Sequence, residues 1–163
     1  MESLHDDILF YNIIYSSYDV AILLSLVCKR FYNISRGYGK ELRTPKGYFL
    51  EYVEKQDKYG CKKRYWINKF TKEKEGKYEK WWENMNKETE CNYKYGKLEG
   101  KYEEWYKNGN KRIECWYKDN KREEKYEFWR GNGNKMIQCW YKDDKSLDKY
   151  EEWYPNENKM MEY

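Results

Sequence analysis

The sequence predicts a mainly β protein with a small α-helical amino-terminal segment: an antiparallel β-meander of stacked 24-residue hairpin repeats, roughly ten strands in all. Three observations predict it. Tyr78, Tyr102, Tyr126 and Tyr150 lie 24 residues apart, as do Trp81, Trp105, Trp129 and Trp153, and Cys91, Cys115 and Cys139. A fixed period of this length means supersecondary units that bury their faces only by stacking. Each unit holds two near copies of one turn, WYKNGN at Trp105 and WYKDNK at Trp116. Asn-Gly between aromatic segments signals a hairpin, because both residues tolerate positive φ. Finally, the composition changes at Arg43–Gly47: thirteen Leu, Ile and Val and no Trp precede Lys46, while seven and all eight Trp follow.

The expected organisation is a helical segment over residues 1–45 and a repeat sheet over 46–163, with Pro45 and Gly47 in the connection. The repeat units fall near 47–75, 76–99, 100–124, 125–148 and 149–163. The helical segment opens with Asp6 and Asp7, carboxylates suited to a first helical turn. Ile8, Leu9, Ile13 and Ile14 leave one side apolar. Ser17 or Asp19 caps a second helix carrying Val20, Ile22, Leu23, Leu24, Leu26 and Val27, with Lys29 and Arg30 near its carboxyl end. Phe31 and Ile34 continue into a short third helix. Three helices in about 45 residues are marginal alone, so their apolar surface should meet the sheet or another protein.

The stretch KGYFLEYVEKQDKYGCKKRYWINK reads as a worn first hairpin, and KYEEWYPNENKMMEY as a last one without a successor. Between them, alternation sorts the faces. Tyr102 and Tyr106 share one face, opposite Trp105; Ile113, Cys115 and Tyr117 share one face, opposite Trp116. Joining the tyrosine-rich faces adds Tyr126, Phe128, Ile137, Cys139 and Tyr141. Trp81, Trp105, Trp116, Trp129 and Trp140 then form a second row among Glu and Lys stems.

The repeat GKYEEWYKNGNK, Gly100 to Lys111, resembles the variant form of the MORN repeat. Regular MORN units carry several glycines and this chain retains few, which tells against the phospholipid contact proposed for some regular MORN proteins. The amino-terminal segment resembles an F-box: LHDDIL at Leu4 and LVCKRF at Leu26 stand where that family has its opening and closing motifs, with His5 where proline is usual. The F-box resemblance implies docking onto a Skp adaptor of a ubiquitin ligase. Leu4, Ile8, Leu9, Ile13, Leu23, Leu24, Val27 and Phe31 match its adaptor-facing or core pattern. The rival reading is a helical cap over the first strand. The pairing of the two elements also resembles proteins of large DNA viruses of amoebae, which would place the protein in the host cytoplasm and make its target a host protein.

Composition narrows the function. Charged residues are 38% and aromatics 20% of 163 residues, with 20 Tyr and 8 Trp, so rings supply most of the burial. The net charge of +4 comes from interleaved Lys and Glu, which gives no basic stripe for nucleic acid. The longest apolar run, Val20–Cys28, falls short of a ~20-residue membrane span, and no basic leader precedes a cleavable apolar core. Five Cys in such a chain fit a reducing compartment, with a cytoplasmic location expected and a virus particle as the alternative.

Cysteines two strands apart are roughly 9–10 Å from each other, too far for a disulfide or a zinc site. These thiols read as small residues filling space under Tyr rings. Glu103, Glu104, Glu123, Glu124, Glu151 and Glu152 read as solvated cross-strand pairs, and no phosphate-binding Gly loop is present. Neither catalysis nor a cofactor is expected. The Trp row reads either as an exposed surface for protein recognition or as rings packed under Lys stems. Two roles follow: an adaptor that holds a ligase with its helices and a target with its sheet, or a structural repeat protein in a larger assembly, self-associating through open sheet edges.

Overall fold

The computed structural model describes residues 17–27, 29–35 and 45–163. Among them are α1 (Tyr18–Ser25), α2 (Lys29–Ser35) and α3 (Pro45–Phe49), followed by ten strands. The strands are β1 (Leu50–Gln56), β2 (Lys62–Asn68), β3 (Lys74–Trp81), β4 (Lys87–Lys94), β5 (Lys97–Trp105), β6 (Lys111–Lys118), β7 (Lys121–Trp129), β8 (Lys135–Lys142), β9 (Lys145–Trp153) and β10 (Lys159–Glu162). They form one sheet in sequence order, β1 to β10, an antiparallel meander as the 24-residue period predicts.

Ser17 caps α1: its backbone is extended and its Oγ accepts from the Val20 N–H at 3.3 Å. The helix ends at Ser25, earlier than the apolar run suggests. The Ser25 hydroxyl donates to the Ile22 carbonyl at 2.7 Å, and the next two amides bond three residues back, so the final turn tightens. Lys29 therefore opens α2 instead of closing α1. The expected first helix around Ile8 and Ile13 lies outside the described residues.

Contacts divide the chain later than the expected boundary at 45/46. One compact unit runs through Glu51 and takes in Asn68–Lys72; the other comprises Tyr52–Ile67 and Glu73–Tyr163. The shift arises because Pro45–Phe49 is helical, and the buried Phe49 ring lies 6.0 Å from Tyr18 and 5.9 Å from Phe70.

In the sheet the tyrosine-rich faces do join. Tyr78 pairs with Cys91, Cys91 with Tyr102 and Tyr102 with Cys115; further on, Tyr126 pairs with Cys139 and Cys139 with Tyr150. In the three middle hairpins the Tyr rings meet edge-on, Tyr102 with Tyr117 at 5.5 Å between centroids, while in the last hairpin Tyr150 and Tyr163 stack.

Two turn types alternate along the two rims. Asp119–Asn120 and Asp143–Asp144 have positive φ at both residues and connect Lys118 to Lys121 and Lys142 to Lys145, two-residue hairpins of the primed kind. The Asn-Gly sites behave differently from the expectation that both residues take positive φ. In Tyr106–Asn110 it is Gly109 that does so, at +90°. This is a three-residue loop closing a bulge, with Tyr106 N–H donating to Asn110 O at 2.9 Å. Asn108 keeps negative φ and instead holds the turn, its Oδ1 accepting from Asn110 N–H at 3.1 Å. The rim is clamped between units: Asn108 and Asn110 amides both donate to Gly131 O, at 2.7 and 2.8 Å, as Asn84 and Asn86 do to Lys107 O. Just before each tip, Trp82 Nε1, Tyr106 Oη and Arg130 Nη2 donate to the carbonyls of Trp105, Trp129 and Trp153, one role filled by three residue types.

Gly109→Ala forces an L side chain into the left-handed region and is expected to cost about 1 kcal/mol or more. Gly131 has no positive φ, and no neighbouring atom lies within 4 Å of the place an alanine methyl would take, so alanine is accepted there with little loss. Urea midpoints of the two variants check the contrast.

Candidate functional site

Leu23 near the end of α1 and Leu26 and Val27 in the tightened turn that follows lie three and four residues apart and are 63%, 78% and 65% exposed. Leu24 and Phe31 are half-buried. Leu4, Ile8, Leu9 and Ile13 lie outside the described residues. Leu26, the most exposed of the group, belongs to the closing motif but is absent from the positions matched to an adaptor-facing or core pattern. Its spacing from Leu23 was the signal that places it there. Among the described residues no helix is long and apolar enough to cross a membrane.

On the sheet, Trp81, Trp105, Trp116, Trp129 and Trp140 occupy one face and are all half-buried. Each ring is covered by a cation. The Arg64 guanidinium lies 5.1 Å from the Trp81 centroid, and Lys87 5.9 Å from Trp105. Lys101 stands over Trp116, Lys111 and Lys135 over Trp129, and Lys125 and Lys149 over Trp140, the closest being Lys149 at 4.1 Å. Trp153, at the same repeat position as Trp129, is held likewise between Lys135 and Lys159. The arrangement is that of rings packed under lysine stems, with cation–π attraction and stem burial acting together.

The covering lysines other than Lys149 are fixed by carboxylates. Glu103 and Glu114 stand directly opposite each other, a like-charge pair that would repel if left alone. Lys101 bridges them at 2.9 and 3.4 Å; Lys111 reaches Glu103 at 2.8 Å and also pairs with Glu114. The previous hairpin repeats the square with Glu79, Glu90, Lys77 and Lys87. Burial by itself would raise the Glu103 carboxyl, but Lys111 and Lys101 outweigh it and hold it below its usual range; Glu79, Glu90 and Glu127 follow the same balance.

The opposite face holds the thiols. Cys91, Cys115 and Cys139 are almost fully buried and unpaired. Burial pushes the Cys91 and Cys115 thiols up to about 12 and raises Cys139 as well. A thiol this basic is about one part in ten thousand thiolate at pH 8, so it is inert as a nucleophile. Among the described residues no group of three or more His, Cys, Asp or Glu is placed to hold a metal ion.

No family model and no curated protein matches the chain.

Two measurements follow from this geometry. A glutamate whose folded pKa lies below its unfolded value, about 4.3, contributes stability that is complete above that pH and is lost as pH falls through the folded value. Urea midpoints should therefore hold steady from pH 7 to about 5 and drop towards pH 3. A disulfide reagent at pH 8 should modify half-buried Cys61 in the native protein, and Cys91, Cys115 and Cys139 only once urea unfolds the sheet.

Proposed function

We propose that this chain is a non-enzymatic adaptor, its F-box-like helical segment docking a Skp-type adaptor of a ubiquitin ligase while the variant MORN-like sheet binds a target protein in the cytoplasm. The observation that carries the reading is the exposed apolar turn of Leu23, Leu26 and Val27. Large apolar side chains gathered at one helix end at this exposure mark a surface made for a partner. The sheet supports the second half of the role: the charge squares hold the Trp and Lys side chains in place, so a target meets a surface already ordered, which lowers the entropic cost of binding.

A structural role in a larger assembly, such as a virus particle, is the second reading. It draws on β10, which pairs with β9 on one side and carries exposed Met160 and Met161, with exposed Tyr163 following it. An edge of this kind invites a neighbouring strand.

Binding of the full chain to a purified Skp adaptor separates the two. Leu26→Asp/Val27→Asp is the informative variant because both side chains are already exposed, so the fold should survive the change. The adaptor reading expects a Kd of about 1 μM or tighter, weakened at least about tenfold in a variant with unchanged circular dichroism. A folded parent that fails to bind, and instead sediments as larger species with rising concentration, favours the assembly.

A further inference from the structure

Directly opposed lysines flank the turns at Lys94–Lys97, Lys118–Lys121 and Lys142–Lys145, and a further such pair lies in the first hairpins, where it borders a cavity. Lys63 and Lys80 stand directly opposite each other on β2 and β3. Side chains so placed are roughly 4.5–5.5 Å apart at Cβ, where like charges destabilise the pairing. Both are half-buried. With Lys55, Lys62, Cys61 and Asp57 they line a cavity of 180 Å³.

The anionic groups nearby are already engaged. Glu88 pairs with Lys80 at 2.7 Å. Asp57 Oδ1 accepts from the Tyr59 and Cys61 amides at 2.8 and 3.1 Å, which commits it to the turn. Among the described residues, Lys55, Lys62 and Lys63 have no carboxylate within 4.0 Å. Four lysines thus line the cavity, with Asp57 the one carboxylate residue among its lining residues.

We propose that this cavity binds a phosphate-class oxyanion, either free phosphate or a phosphate monoester on a partner's side chain. Lysine binds phosphate as a point charge, and a tetrahedral dianion can approach ammonium groups arriving from several strands at once. The anion supplies between Lys63 and Lys80 the negative charge that glutamates receive from lysines elsewhere in the sheet, with the signs reversed. Its residues all lie in β1, β2, β3 and the turn between β1 and β2, and the proposal does not depend on the helical docking surface.

Thermal unfolding of the full chain at pH 7 tests it, in sodium phosphate against sodium chloride of equal ionic strength. Phosphate should raise Tm by about 2–4 °C more than chloride does. Lys63→Gln should raise Tm in chloride, because a repulsive pair is removed, and abolish the extra phosphate shift. Lys55→Gln, at an exposed position, should lose the shift while leaving Tm in chloride unchanged. Equal shifts in the two salts, or an undiminished phosphate shift in both variants, overturns the site. Calorimetric titration then separates the sources. A phosphoserine peptide bound at least tenfold more tightly than inorganic phosphate, with its unphosphorylated form silent, assigns the anion to a partner chain; equal affinity assigns it to free phosphate. Binding of neither overturns the proposal.

Discussion

The sheet depends on one small packing unit: a cysteine thiol buried between tyrosine rings on neighbouring strands. Among the described residues the fully buried apolar side chains are few, and three of them are Cys91, Cys115 and Cys139. A larger residue there would push the flanking rings apart, and a polar one would leave a buried group unsatisfied. Because Tyr102 serves the thiol on either side, Cys91 and Cys115, the hairpins it joins are each incomplete without the other. That shared burial explains why the 24-residue period admits no slippage between Tyr78 and Tyr150: one inserted residue would turn every following ring to the opposite face.

Period and alternation made the strands, their order and the two faces legible in the sequence, since both follow from backbone geometry alone. The rims were less legible. Asn108 and Gly109 look like a two-residue turn, yet the loop takes three residues and gives the asparagine a different task, its side chain bracing the turn and reaching the next unit's carbonyl. No local propensity encodes a bond made to Gly131, because its partner arrives only when the hairpins stack. The end of α1 was hidden for a similar reason: Ser25 sits inside an apolar run, and its hydroxyl bond to Ile22 O tightens the turn without any change in hydropathy. The state of the Trp row was equally out of reach. Whether Trp129 stands open or lies under Lys111 and Lys135 is decided by bulges and cross-strand stem directions that alternation does not specify.

Interleaved Lys and Glu give a nearly neutral chain, which by composition alone means little more than the lack of a basic stripe. In the sheet the same interleaving becomes an ordered lattice. Lys87, Lys101 and Lys111 of the charge squares both neutralise a glutamate pair and cover an indole, so these charged residues serve as an outer layer over the Trp rings. Exposed ion pairs contribute little singly; networks that share partners and bury their stems contribute more, because each side chain is immobilised once for several contacts.

The lattice also shows what the sheet requires of like charges. Glu79 faces Glu90 and Glu103 faces Glu114, and in both cases two lysines lie between the carboxylates. Where Gln138 replaces a glutamate, one acid is gone, and Lys135 bonds to both Glu127 and the amide instead. A directly opposed like-charge pair is thus tolerated where opposite charge intervenes. In the Lys63–Lys80 pair only one member is answered: the pair lies near the ends of β2 and β3, half-buried and lining a cavity, and Glu88 pairs with Lys80 but not with Lys63. Repulsion retained at that place lowers the stability of the free sheet, and it is relieved by any anion that enters. The electrostatics that closes the Glu79–Glu90 and Glu103–Glu114 squares on themselves therefore leaves the Lys63–Lys80 pair open to a ligand of opposite sign.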